Sequence, residues 1–421
     1  MNRNKISFIL ISFYIGISYV SELAINYFLK DTFNISPSML TNILSLAKIP
    51  WIIKPLFGLI TDFLPIFGYR RKFYILICGI LISVSLINLS FFTTTLLQAK
   101  LNLLLYNSSV SFISILGQTL IVELIQEDPK NSSLVTVDYL VASIGYLISS
   151  FLQGLLVEKF SIKFVFEFSA FLPIFLITSG LLLIEKKINQ NDENKNNNNG
   201  NLLNELIQYL LQKKILITLL YFIILLSTPI YYDTLFYFYN NKLKFSPNDI
   251  GKINFYGTLL NIFLITIYNK YNWNKYTKIF LLIIKILSIL VCQMHCFVVT
   301  EKYLNYNISP YSIVFLADSI KVPLIQIQNL PLSEITAALS PKNLEGTVHS
   351  LFVSVMNLSN MFGSLFGSWL NNYYNISQNN FDNLGKLIKF CNYTILIPII
   401  YIIILPNKYI NPNSEKEKKL E

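Results

Sequence analysis

A succession of apolar runs, each about as long as a helix needs to cross a bilayer, constrains this chain more than any other feature of its sequence. The hydrocarbon layer takes roughly 20 residues of helix. Runs of that kind occupy Ile6–Tyr27, Met39–Ile60, Phe73–Thr95, Leu103–Leu124, Val135–Leu156 and Phe164–Ile184. After a polar stretch they resume at Ile215–Tyr239, Ile250–Ile267, Ile279–Thr300, Ser312–Ala337, Gly346–Leu370 and Leu387–Leu405. The pattern predicts an all-α integral membrane protein with six spans, a linker and six spans. The eighth and tenth runs are the weakest, because polar residues interrupt each of them.

Composition agrees. Of 421 residues, 53% are hydrophobic and 13% charged, whereas soluble domains carry about 25% charged residues. The net charge of +10 does not point to nucleic acid, since the lysines are scattered at the ends of apolar runs rather than gathered on one polar face. With both termini cytoplasmic, basic residues on the inner side outnumber those outside, and Arg3, Arg70 and Arg71 all fall inside, as the positive-inside bias requires. The first run is too long for a signal-peptide core and is read as retained. Plasma membrane and organelle membrane both fit.

These boundaries give an N-terminal bundle over 1–184, a linker over 185–214, a C-terminal bundle over 215–406 and a cytoplasmic tail over 407–421. The linker holds EKKINQNDENKNNNNGN, which is low in complexity and solvated. Its end, LLNELIQYLLQKK, has helical periodicity and suits an amphipathic helix on the inner membrane surface.

Charges inside apolar runs are expensive and mark pathways or buried pairs. Glu22, Asp233 and Asp318 each fall about 9 Å inside the outer boundary by the helical rise. Lys321 lies one turn from Asp318 on the same face, so mutual neutralisation is one reading of that pair. Lys48 and Lys54 stand in the second run, and Glu167 and Lys285 suit contacts to a neighbouring helix or snorkelling. At the cytoplasmic exit of the second run, Gly58 and Asp62 form G-x-x-x-D ahead of Gly68, Tyr69, Arg70, Arg71 and Lys72. Carboxylates and arginines there can clamp two helices together, or be ordinary topogenic charge. Cys292, His295 and Cys296 lie close together but make no complete zinc set, and are read as small fillers. With two histidines far apart, His295 and His349, no catalytic constellation is evident. Neither an enzyme, a metal nor a cofactor is expected.

The loop after the second run resembles the signature loop of the major facilitator superfamily. The longer string PWIIKPLFGLITDFLPIFGYRRKFY resembles the folate–biopterin transporter family more specifically, through Pro50, Trp51, Lys54, Pro55, Gly58, Asp62, Pro65, Gly68, Tyr69, Arg70 and Arg71. YFLKDTFNISPSML, TPIYYDTLFYFYNNKLKFSPNDIG and FLADSIKVPLIQIQNLPLSEITAALSPKNLEGTVHSLFVSVMNLSN continue the likeness, the last with Asp318, Pro331, Glu345, Thr347 and Asn357. Two departures stand out. Ser114 and Gln118 occupy fourth-span positions where the family usually has aspartates, leaving Glu123, and Lys48 stands where a small or apolar residue is usual.

The resemblance implies a 12-span major-facilitator-type fold, two six-helix bundles with nested inverted repeats, and alternating access to a midplane site. It implies a cavity lined by the first, fourth, seventh and tenth spans, which would bring Glu22, Asp233 and Asp318 together. The implied substrate is a folate or pterin. A carboxylate, Asp233 or Asp318, would accept two hydrogen bonds from the pterin edge, with Tyr231, Tyr232 and Phe236 flanking the ring. Lys48, Lys54 or Lys321 would meet a folate's glutamate tail, and Gln118 faces the same question of specificity. Gly58, Asp62, Arg70, Arg71, Glu123 and Glu345 would form the gating motif. Protons are the candidate coupling ion, carried at Glu22 or Asp233, and a monomer is expected. A different polar metabolite (nucleoside-like, sulfonium or amino acid) is the alternative substrate, and a non-transporting receptor the remaining one.

Overall fold

The computed structural model describes residues 3–127, 134–185, 187, 208–271, 276–339 and 345–404. Among these, helices dominate, and the one β-type pairing is an isolated bridge between Ile66 and Tyr69. Among the described residues, ten helices are long and apolar enough to cross a membrane: Arg3–Thr32, Pro37–Thr61, Lys72–Phe91, Leu96–Leu124, Val137–Lys159, Ile162–Leu182, Pro247–Tyr268, Thr277–Val299, Pro310–Thr336 and Leu384–Ile404. They correspond to the first six expected spans and to the eighth, ninth, tenth and twelfth. Of the surface helix expected over 202–214, residues 202–207 lie outside the described residues, 208–210 are helical, and the chain turns at Leu211 and Gln212 before the seventh span begins at Lys213. The tail over 407–421 lies outside the described residues.

The weak points lie elsewhere than the sequence pattern suggested. The eighth and tenth spans run unbroken, as Pro247–Lys270 and Pro310–Leu339, the latter with Pro323 and Pro331 inside it. The seventh breaks instead. Its first helix, Lys213–Leu226, stops short of a second, Tyr232–Tyr237. Pro229 lies in the gap, lacks an N–H and disfavours helix at the residue before it. The eleventh span, Glu345–Tyr373, is one continuous helix whose serines, asparagines and glycines dilute its hydropathy.

The chain forms two compact units, one of Met1–Ile35, Leu46–Asn197 and Ser246–Phe255, the other of Ser36–Ser45, Asn198–Phe245 and Tyr256–Glu421. In the first, Phe8, Ile121, Leu124 and Leu134 make a buried cluster. Bare backbone brings the first and fifth spans together: Ser149 Oγ donates to the Gly16 carbonyl at 2.8 Å, and a methyl group on Gly16 would lie 2.1 Å from the Ala142 carbonyl. In the second, Tyr221, Phe222, Leu225, Leu332, Val348 and Phe352 lie in one core cluster.

The two halves repeat one backbone course. The helix Glu22–Tyr27 runs into a π-helical turn, Phe28–Thr32, as Tyr232–Tyr237 runs into Phe238–Lys242. Left-handed residues follow, Asn34 (φ 47°) and Lys244 (φ 59°), and the next helices begin at Pro37 and Pro247. Such π-helical turns are rare and concentrate at functional sites.

Candidate functional site

The second unit contains a polar cluster drawn from three spans. Asp318, on the tenth span, is 4% exposed. One of its oxygens, Oδ1, meets both Lys321 Nζ and His295 Nε2, the latter at 3.2 Å. His295 comes from the ninth span and is itself buried. Its other ring nitrogen, Nδ1, lies 3.0 Å from the Tyr231 hydroxyl. Lys321 Nζ sits 4.4 Å from the centre of the Tyr232 ring, a cation–π distance, and the rings of Tyr231 and Tyr232 are 5.0 Å apart. The break in the seventh span explains why two adjacent tyrosines reach this cluster, since Tyr231 has left helical geometry (φ −124°, ψ 9°) and Tyr232 begins the next helix. Asp233 follows in the first turn of that helix and is half-buried.

The pairing of Asp318 with Lys321 is therefore real, and His295 joins it. Sequence spacing had grouped His295 with Cys292 and Cys296, its neighbours on one helix. Its partners lie 23 and 64 positions away, where only the fold connects them. Among the described residues no group of three His, Cys, Asp or Glu could hold a metal.

In the first unit, Lys54 is 5% exposed. Pro50 and Pro55 flank the kink of the second span, where a short 3-10 turn, Ile49–Trp51, hands over to the helix Lys54–Phe63. The kink aims Lys54 at the fourth span. Its ammonium donates to Ser114 Oγ at 2.8 Å and lies 4.5 Å from the centre of the Trp51 ring, while Trp51 Nε1 donates to Asn107 Oδ1 at 3.3 Å. Gln118, one turn beyond Ser114, is exposed, as is Lys48. Glu22 is exposed and has Tyr19, Tyr106 and Tyr146 as neighbours; the rings of Tyr19 and Tyr146 lie 4.0 Å apart. Thus Glu22, Lys48, Lys54 and Gln118 belong to the first unit and Asp233, Asp318 and Lys321 to the second.

Of the loop motif, Arg71 and Glu123 come together. Ile66 and Tyr69 exchange backbone hydrogen bonds at 3.0 Å around Phe67 (φ 52°) and Gly68 (φ 81°), the paired positive angles of a tight type I′ turn. Arg71, 4% exposed, donates from Nε and Nη2 to Glu123 Oε1 at 3.1 and 2.8 Å and from Nη1 to Thr61 Oγ1 at 2.8 Å. Arg70 is exposed. A residue outside the motif anchors the loop: the Glu185 carboxylate accepts from the backbone amides of Arg70 (2.7 Å), Arg71 (3.1 Å) and Lys72 (3.1 Å). These donors open the third span, where a helix terminus attracts anions. Sequence reading placed Glu185 at the start of the linker, and nothing in its own neighbourhood marked it as a cap. The side chains of Asp62 and Glu345 lie outside the described residues. Glu167 accepts from Ser90 Oγ at 3.0 Å, and Lys285 donates to the Leu225 carbonyl at 3.2 Å.

The BT1 family model matches residues 16–421, nearly the whole chain. The chain belongs to the BT1 family, the folate–biopterin transporters. BT1 relatives include "Folate transporter 1" of Plasmodium falciparum (isolate 3D7), 33% identical, with 96% of this chain and 80% of that protein covered. "Folate-biopterin transporter" of Synechocystis sp. is 27% identical over 96% of this chain and 82% of its own length. Solved structures share the fold at low identity. A D-xylose–proton symporter superposes with a TM-score of 0.68 at 13% identity, covering 97% of this chain and 98% of its own. The nucleoside transporter NupG gives 0.69 at 14%, covering 96% and 100%. This BT1 chain is accordingly a multi-pass membrane transporter of the major-facilitator fold, not an enzyme. Ser114, expected to be one of its departures from the family pattern, is the residue to which Lys54 donates.

Proposed function

We propose that this chain carries folate- or pterin-type solutes by alternating access between two bundles, residues 1–184 and 215–406, with both termini cytoplasmic and an inward proton gradient driving uptake. The observation that carries the reading is Lys321: a partly exposed ammonium, held by buried Asp318 and lying over the Tyr232 ring. A cation beside an aromatic face suits a ligand with a flat ring and a carboxylate tail. Asp233, half-buried one residue further on, would accept the paired N–H groups of a pterin edge. The names of BT1 relatives agree with that chemistry.

The test is uptake of labelled folic acid, a biopterin and one unrelated metabolite into proteoliposomes, with and without an inward proton gradient. Saturable uptake of folate or pterin, enhanced by the gradient and lost in Asp318→Asn, is expected. No uptake of either by folded protein would sink the substrate reading and leave the fold. Equal uptake with and without the gradient would remove the proton.

A further inference from the structure

His295 is a buried imidazole whose two ring nitrogens both have partners. An ionised carboxylate only accepts hydrogen bonds, so the nitrogen facing Asp318, Nε2, carries the hydrogen when the ring is neutral. Nδ1 is then an acceptor, and the Tyr231 hydroxyl donates to it across 3.0 Å. That tautomer follows from the hydrogen-bond network. The groups around the ring come from four elements. Asp318 and Lys321 stand on the tenth span. Tyr231 and Tyr232 stand at the break of the seventh. Cys391, from the twelfth, and Cys292, on the histidine's own helix, lie near Tyr231. Cys296, also on that helix, lies near Lys302 and Lys389, and Tyr239 faces Asp318.

Asp318, Lys321 and a neutral His295 sum to zero charge. A proton on Nδ1 changes this in two ways. The cluster becomes net positive, and two cations then compete for the same oxygen, Asp318 Oδ1. Their side chains differ in freedom: that of His295 is 0% exposed and that of Lys321 18%. The histidine stays, and Lys321 is the one able to leave. At the same time Nδ1 turns from acceptor to donor, so the Tyr231 hydroxyl must rotate, and Tyr231 lies in the discontinuous stretch of the seventh span.

Resting on the carrier reading above, we propose that His295 binds the coupled proton and thereby releases Lys321 from Asp318 to pair with an anionic group of the substrate. Proton and anion then bind with positive coupling, and by linkage each strengthens the other equally. The proton enters and leaves as a hydron exchanged with water, and no other bond is made or broken. This places the coupling proton on His295 rather than on Glu22 or Asp233.

The experiment is the initial rate of labelled folate uptake into proteoliposomes from pH 5 to 8, with KM and kcat separated, for wild type and His295→Gln. Glutamine keeps a donor towards Asp318 but cannot titrate. In the wild type KM should rise about tenfold across this range, within the usual span of coupling energies, whereas in H295Q it should be flat. An H295Q protein slowed by a constant factor, with the wild-type pH profile intact, would overturn the proposal and leave His295 a structural residue. A wild type that transports no folate at any pH would instead overturn the carrier reading itself. Should H295Q fail to fold, Tyr231→Phe serves, because it keeps the imidazole and removes its hydroxyl partner. A displaced KM profile in Y231F supports the proposal, and a superimposable one refutes it.

Discussion

The amide of Ile230 donates to the carbonyl of Gly363 at 3.1 Å, a main-chain bond joining the broken seventh span to the eleventh. Backbone that leaves helical geometry inside a membrane must find partners within the protein, and the eleventh span provides them through bare backbone. A methyl group on Gly363 would lie 2.6 Å from the Thr228 carbonyl, and one on Gly367 only 1.8 Å from that of Ile230. In the first half, glycines again allow close backbone contact, Gly16 and Gly145 lying against each other between the first and fifth spans.

Gly367→Ala should therefore displace the break and, with it, Tyr231 and Tyr232. Overpacking of this kind costs about 1–3 kcal/mol, so a lower melting temperature in detergent and at least a tenfold loss of uptake are expected. Gly58→Ala is the contrast. A methyl group there meets nothing closer than Ile115 Cδ1 at 3.7 Å, and alanine favours helix over glycine by roughly 0.5–1 kcal/mol. Uptake within about twofold of wild type is expected for G58A. A severe defect there would give the motif glycine a role in motion rather than in packing.

That contrast illustrates what could be read from residues alone. Hydropathy located the apolar segments, and the string around Trp51 and Lys54 resembled the correct family. Hydropathy could not separate a continuous span from one broken at Pro229, because tertiary partners decide whether a proline interrupts a helix; Pro323 and Pro331 do not. Nor could spacing find Glu185 or His295. Both act on groups far away in sequence, and nothing in their own neighbourhood distinguishes a cap or a relay from a boundary residue or a filler. Lys321 and Asp318 were legible because they stand three residues apart on one helix.

The contact of Arg71 with Glu123 invites a double-mutant cycle. Arg71 is buried, whereas the Glu123 side chain is 44% exposed, so part of the attraction is screened. The two hydrogen bonds to one oxygen argue for a coupling energy of about 1 kcal/mol from Arg71→Met, Glu123→Met and the double variant, read from thermal unfolding. Arg71→Lys should lose most of that coupling, since an ammonium cannot span Glu123 and Thr61 together. A coupling near zero would return the loop to ordinary topogenic charge.

Ser114 offers a test of Lys54. Aspartate at this position would put a carboxylate beside the ammonium that now lies 2.8 Å from Ser114 Oγ, and would neutralise it. If Lys54 meets the glutamate tail of a folate, Ser114→Asp should raise KM for folate by about tenfold, the worth of one charge-assisted hydrogen bond of roughly 1.5–3 kcal/mol. KM for a biopterin, which has no such tail, should stay within about twofold. Parallel losses for both compounds would mean that Lys54 holds the kink of the second span and does not touch substrate.

Lys285 poses a different question, whether a buried charge or only a donor is needed. It is 6% exposed, and its ammonium reaches the Leu225 carbonyl, one residue before the helix Lys213–Leu226 ends. A helix C-terminus carries partial negative charge and leaves carbonyls unpaired, so a cation there closes the first half of the broken span. Lys285→Met would orphan that carbonyl at a cost of about 1–3 kcal/mol while relieving the burial of a charge. The two effects oppose each other in stability, and a shift of melting temperature of only a few degrees is expected. Uptake should respond more strongly, falling about tenfold, because the carbonyl lies next to the break that positions Tyr231. Lys285→Gln separates the two needs. Glutamine retains a donor without charge, so near-wild-type uptake in K285Q would show that the hydrogen bond suffices. Uptake as low as in K285M would show that the positive charge itself holds the helix end.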